Sequence, residues 1–132
     1  MRVFVADDDP LLRIGLRIAL AQKQDIEVVG EAGDGLSAIK KIQIHSPDIS
    51  LIDVNMPILS GIKAIRVLRQ KVPQMKIIAF SNYRTKHTVS GAIQAGADCY
   101  VLKNVEIDEL LRIMKAIHAG IQVDSPFILD SS

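Results

Sequence analysis

What this chain lacks narrows its chemistry before any motif is considered. Cys99 is the only cysteine among 132 residues, so no disulfide forms within the chain. A thiol-poor chain fits a reducing, cytoplasmic setting. No apolar run approaches the roughly 18–20 residues needed to span a bilayer. No basic stretch leads into an apolar segment of the kind that marks a chain for secretion. Sixteen basic residues stand against fifteen acidic ones, a net charge of +1. That balance gives no electrostatic case for nucleic-acid binding by these residues themselves. There is no repeat of roughly 20–50 residues and no low-complexity tract. No His or Cys pair has the spacing of zinc ligands. His45, His87 and His118 fall far apart and read as surface or packing residues.

What is present suits one folded domain with one core: 48% apolar and 23% charged residues. Ile49-Ser50-Leu51-Ile52 reads as a strand buried on both faces, and it stops on a carboxylate, Asp53. Met56-Pro57 follows and favours an extended exit. Val3-Phe4-Val5 is a first strand, broken by Asp7-Asp8-Asp9-Pro10. Asp9 suits an N-cap with Pro10 at the first helical position. A first helix runs to about Gln22, with Leu12, Leu16 and Leu20 on one face. Residues 26–31 form a second strand, and Ala38, Ile39, Ile42 and Ile44 line a second helix. The third helix spans Gly61 to Lys71, the fourth strand Lys76 to Phe80, and the fourth helix Arg84 to Ala95. Cys99 to Leu102 is a fifth strand and Ile107 to Ala119 a fifth helix.

Five strands alternating with five helices predict an α/β fold, a flavodoxin-like (βα)5 doubly wound sandwich around a parallel five-stranded sheet. The order 2-1-3-4-5 is carried over from known sheets of this kind rather than deduced. Such a sheet gathers its strand ends on one edge, where open α/β folds bind ligands. Asp7-Asp8, Asp53, Ser81 and Lys103 all stand at strand ends. Solvated loops explain one or two such polar residues; three carboxylates, a hydroxyl and an amine are more than they explain. Carboxylates held close repel unless something neutralises them, and a hard divalent cation such as Mg2+ does so. A carboxylate beside magnesium can attack a phosphoryl group, with Lys103 and Ser81 placed to meet the transferred oxygens.

Other ligands fit less well. Gly30, Gly33 and Gly35 read G-x-x-G-x-G after the second strand, which is not the dinucleotide fingerprint. The turn after the first strand holds three aspartates, which repel a pyrophosphate. A haloacid-dehalogenase-type phosphatase needs a second Asp two residues beyond its nucleophile, and here that residue is Asn55.

At this point five short segments line up. They are Val5-Ala6-Asp7-Asp8-Asp9-Pro10, Asp53-Val54-Asn55-Met56-Pro57 with Ser60-Gly61, Phe80-Ser81, Ala95-Gly96-Ala97, and Tyr100-Val101-Leu102-Lys103. In this order and spacing the chain resembles the receiver domain of a two-component response regulator. The resemblance covers residues 2 to about 122. It implies a signalling module rather than a classical enzyme, with a receiver over 1–122 and a tail or linker over 123–132. It makes Asp53 the phosphoacceptor, charged by a sensor histidine kinase. Asp8 becomes a direct magnesium ligand, with Asp7 close by or acting through water, and Asn55 offers its backbone carbonyl. Ser81 is the switch hydroxyl, Tyr100 the switch aromatic and Lys103 the phosphate-binding lysine.

Asp25-Ile26-Glu27-Val28-Val29-Gly30-Glu31-Ala32, Gly35 and Lys103-Asn104 further resemble regulators of the LuxR/NarL type, which carry a C-terminal helix-turn-helix. These 132 residues hold no such domain, so any DNA binding belongs to a longer protein; a stand-alone receiver is the alternative. Two positions depart from the pattern. Asp9 stands where this subfamily often has His, and is read as a helix cap. Asn82 follows the switch serine where a small residue is usual, and narrows access to Asp53. Leu11, Ile14 and Ile18 form a second apolar face on the first helix. That face either packs on neighbouring helices or forms a homodimer surface with the fifth.

Overall fold

The computed structural model describes residues 1–125 together with Phe127 and Leu129. Strands and helices alternate as β1 (Arg2–Ala6), α1 (Pro10–Ala21), β2 (Glu27–Ala32), α2 (Gly35–His45), β3 (Ile49–Asp53), α3 (Gly61–Lys71), β4 (Lys76–Ser81), α4 (Lys86–Ala95), β5 (Cys99–Leu102) and α5 (Ile107–His118). The strands pair in parallel in the order β2-β1-β3-β4-β5. This is the expected doubly wound sheet. No helix among the described residues is long and apolar enough to cross a membrane. The expected tail at 123–132 lies partly outside the described residues.

The two-residue period of the strands sorts the core into two layers. Phe4, Ala6, Ile52, Ile77, Ala79 and Tyr100 face α2, α3 and α4, where Ile42, Ile65, Leu68 and Ala92 meet them. Val3, Val5, Leu51, Ile78, Phe80 and Val101 face α1 and α5, where Leu16, Leu20, Leu110 and Met114 meet them. β3 lies in the middle and is buried along its whole length. Ser50 in that strand satisfies its hydroxyl on Met75 Sδ, 3.1 Å away.

Several local readings shift. Asp9 does cap α1, accepting from the backbone N–H groups of Leu11 and Leu12 behind Pro10. β2 starts one residue later than expected, and its register steps from Val3–Val28 to Phe4–Gly30, leaving Val29 unpaired. Ile44 does not line α2; it is 75% exposed. Two residues past the buried Ile42, it is turned about 200° around the helix. Arg84 precedes α4 rather than opening it, because the Thr85 hydroxyl caps the helix and accepts from Thr88 N at 3.3 Å. Among the described residues nothing covers the second face of α1: Leu11, Ile14 and Ile18 are 78%, 41% and 56% exposed.

Two glycines press helix N-termini onto the loop that leaves β3. A Cβ on Gly61 would lie 1.8 Å from the Asp53 carbonyl oxygen, and one on Gly35 would lie 2.2 Å from the Leu59 carbonyl oxygen. Both neighbours are backbone, so neither yields cheaply. Between them Leu59 N donates to Pro57 O at 2.7 Å, closing a three-residue turn around Ile58 at φ 70°. A β-branched residue in that region is strained. Gly61→Ala is expected to lower stability by more than about 2 kcal/mol, the upper part of the overpacking range. Gly15→Ala on the exposed side of α1, where nothing lies near the added methyl, is expected to be neutral or stabilising. Urea midpoints of the two variants measure the contrast.

Candidate functional site

The site forms where β1, β3, β4 and β5 end. Parallel pairing brings Ala6 beside Ile52, Asp53 beside Phe80, and Ser81 beside Leu102. The next residue of each outer strand therefore reaches the same edge. Backbone bonds fix the exits: Asp7 N donates to Ala32 O at 3.0 Å, Val54 N to Phe80 O at 3.1 Å, and Lys103 N to Ser81 O at 2.8 Å.

Asp7 and Asp53 are almost fully buried, at 1% and 2% exposure, while Asp8 is exposed. Carboxylate oxygens of the three lie within 4.8 Å of one another. Lys103 reaches over from the β5 end, its Nζ 2.8 Å from Asp7 Oδ2 and 3.0 Å from Asp53 Oδ2. The second oxygen of each buried carboxylate takes a local backbone donor. Asp9 N donates to Asp7 Oδ1 at 2.8 Å and Asn55 N to Asp53 Oδ1 at 3.0 Å. The Asp7 contact with Lys103 is close enough for an ion pair but not aligned as a hydrogen bond. Asp7 Oδ2 is thus the one buried side-chain oxygen or nitrogen among the described residues with no hydrogen-bond partner.

The electrostatics follow from one ammonium serving two carboxylates. Burial pushes the Asp53 carboxyl up to about 6; the Asn55 N–H and Lys103 oppose this, and the Asp7 charge adds to it. Burial pulls the Lys103 ammonium down, but Asp7 and Asp53 together outweigh it and hold it above its usual value. Lys103 is stabilised by both partners while Asp53 receives only a share of Lys103. Three carboxylates against one ammonium leave two negative charges in excess. One divalent cation would balance that, and Asp7 Oδ2, ion-paired with Lys103 but without a hydrogen bond, belongs to the cluster of oxygens that could hold it. The oxygen-only donor set suits a hard cation.

Ser81 and Tyr100 sit beside this cluster. Ser81 is buried, and its Oγ accepts from Tyr83 N at 3.0 Å. Tyr100 is fully buried with its hydroxyl donating to Tyr83 O at 2.7 Å. Burial raises the phenol, the Ser81 hydroxyl counteracts this, and the Asp53 charge reinforces it. Asn55 has an exposed side chain and its backbone turned toward Asp53. Asn82 is exposed on the rim of a cavity of about 340 Å³, lined also by Arg84, Leu102, Lys103 and Asn104.

Some contributors carry no obvious sequence signal. Arg13 Nη1 donates to the Asp7 carbonyl, and Arg13 and Arg17 both pair with Glu31, at 3.3 and 2.9 Å. These ties hold the β1 exit against α1 and β2. The one available clue is that Arg13 and Arg17 are spaced i, i+4 on the helix beside the end of the second strand. The Tyr83 carbonyl is also invisible to side-chain reading.

Comparison with known proteins agrees with this architecture. A family model described as the response regulator receiver domain matches residues 3–115. The transcriptional regulatory protein YhcZ of Bacillus subtilis is 42% identical over 120 residues, which are 91% of this chain and 56% of that protein. The nitrate/nitrite response regulator protein NarL of Escherichia coli is 36% identical over 118 residues, 89% of this chain and 55% of that protein. The signal receiver domain of the response regulator NarL from Mycobacterium tuberculosis superposes with a TM-score of 0.86 at 33% identity, covering 90% of this chain and 96% of that one. The chain spans about half the length of the curated relatives it matches.

The raised Asp53 carboxyl makes a signed prediction for metal-free protein. A folded-state value of about 6 against 3.8 means that stability falls as pH rises between them and stays reduced above. Asp53→Asn removes that cost. With chelator present the variant is expected to be more stable than the parent at pH 7, by about 1–3 kcal/mol. The gap is expected to shrink toward pH 4. Urea unfolding at the two pH values tests both statements.

Proposed function

The chain belongs to the response regulator receiver family, and from that premise we propose that Asp53 is its phosphoacceptor. A carboxylate oxygen of Asp53 forms the new bond to phosphorus. The bond from phosphorus to the donor group breaks, and the donor leaves with that electron pair. The donor is a phosphohistidine of a sensor kinase, or a small acyl phosphate. The observation that carries this reading is Lys103, suspended between Asp7 and Asp53 beside a third carboxylate. Its ammonium neutralises charge on the transferred oxygens, and its grip on Asp53 relaxes as that carboxylate becomes an acyl phosphate. The Ser81 Oγ accepts from Tyr83 N, and its hydroxyl proton can be given to a phosphoryl oxygen.

Mg2+ fits this site, held by Asp8, Asp7, Asp53 and the Asn55 carbonyl, and when bound it supplies positive charge against the phosphoryl oxygens. Burial keeps bulk water from Asp53 except at the strand-end opening. Turnover is therefore slow, and the protein is a switch that carries its phosphate rather than an enzyme that processes a substrate. YhcZ is named a transcriptional regulatory protein and NarL of Escherichia coli a response regulator protein, and this chain covers only about half of each. We therefore assign this chain to the cytoplasmic receiver half of such a regulator, controlling DNA binding by a domain beyond it. Residues 1–122 make up the receiver, and the chain beyond them leads toward that domain.

Incubation with acetyl phosphate and Mg2+ is expected to add one phosphoryl group by intact mass, removed by hydroxylamine and missing in Asp53→Asn. Lys103→Ala is expected to slow labelling by at least about tenfold while leaving Asp53 intact. Labelling that persists in Asp53→Asn would sink the assignment. The exposed stripe of Leu11, Ile14 and Ile18 is the surface we assign to pairing between two copies, alongside α5. Sedimentation velocity with beryllofluoride and Mg2+ is expected to show a dimer, and Ile18→Glu a monomer. A monomer under all conditions removes the surface from consideration.

A further inference from the structure

The residues after α5 do something the switch alone does not require. β5 is an edge strand of the sheet. Val123 packs against the core layer on the α1 and α5 side. Phe127, four residues on, packs against the opposite layer, the one that contains Tyr100. An extended chain of four residues spans about 13 Å, enough to step from one face of a sheet to the other. The two anchors thus lie on opposite faces of the sheet whose edge is β5. Edge strands left bare invite pairing with other chains, so a covered edge is a structural asset in itself.

The far anchor meets the switch residue. The Phe127 and Tyr100 rings are 5.7 Å apart between centroids and tilted by 54°. That is a favourable offset for an aromatic pair. From Tyr100 the contacts continue inward: its hydroxyl donates to Tyr83 O, and Tyr83 N donates to Ser81 Oγ. Four residues therefore form one run of contacts from the tail to the strand ends where Asp53 sits: Phe127, Tyr100, Tyr83 and Ser81.

We propose that the segment after α5 is a strap across the β5 edge, in which Phe127 holds the Tyr100 ring inward and so positions Ser81 for the group on Asp53. The strap rests on the reading of Asp53 as phosphoacceptor. A seated Phe127 keeps Tyr100, the Tyr83 backbone and Ser81 in one arrangement, so that the hydroxyl is in place before a phosphoryl group arrives. A donor already in place binds better than one that must first be ordered. Linkage makes the effect reciprocal: occupation of Asp53 tightens the strap by the same factor that the strap tightens occupation. Phe127 is a positioning residue, and the state of Asp53 is carried through it to the far edge of the sheet.

The test uses the intact chain with Mg2+ and beryllofluoride, a stable mimic of the phosphoryl group. Binding is followed by fluorine NMR. Phe127→Ala is expected to weaken beryllofluoride binding by about fivefold, and Phe127→Leu to recover part of the loss. The chain contains no tryptophan, so Phe127→Trp gives a single reporter. Its emission is expected to shift to shorter wavelength when beryllofluoride binds, and to stay fixed in the Asp53→Asn background. Affinity that is unchanged or higher in Phe127→Ala, or an unmoved emission despite bound fluoride, overturns the strap and leaves the phosphoacceptor reading intact. Absence of any bound fluoride signal in the parent protein overturns both together.

Discussion

One ammonium between two buried carboxylates is the constraint on which this structure turns. Lys103 Nζ lies within 3.0 Å of both Asp7 Oδ2 and Asp53 Oδ2. Removing either acid from water is costly without a counter-charge, and one lysine cannot satisfy both. The shortfall is visible in two places, the raised Asp53 carboxyl and the Asp7 oxygen without a hydrogen bond. A site in this condition is incomplete by construction. Its electrostatics favour any cation that supplies the missing charge.

The rest of the fold brings these three side chains to one edge and keeps them there. Parallel strands set the ends of β1, β3 and β5 level, and apolar layers on both faces leave those strands no freedom to slip. Arg13 and Glu31 tie the β1 exit to its neighbours. The chain uses local polar contacts at the edge and apolar packing everywhere below it. The strained turn at Ile58 stands on the same loop as Asn55, where the surrounding packing can hold a costly backbone.

Much of this was legible from the residues. Alternating apolar runs fixed the sheet, and the strand-end aspartates, serine and lysine pointed to the site because a parallel sheet must gather them. Asp9 and Pro10 announced a helix start through capping chemistry that acts locally. What stayed hidden depends on geometry beyond the local window. Asp7 and Asp8 are chemically identical neighbours, and only the path of the chain as it leaves β1 decides that Asp7 is enclosed while Asp8 meets solvent. Ile44 reads as apolar and therefore inward, yet helical rotation carries it outward. The link from Tyr100 to Tyr83 runs through a backbone carbonyl, which no side-chain pattern encodes. Phe127 looked like part of a featureless tail because its partner is distant in sequence.

The contact between Gly61 and the Asp53 carbonyl, where an added methyl would sit at 1.8 Å, has a consequence for descent as well as for packing. Neutral drift can explore the exposed positions around this site, Asn82 and Asn55 among them. It cannot explore Gly61 without displacing the backbone of Asp53 itself. A lineage carrying this fold is free to vary the rim of the site while the position of Asp53 is inherited unchanged, guarded by a residue that contributes only a hydrogen atom where others have carbon.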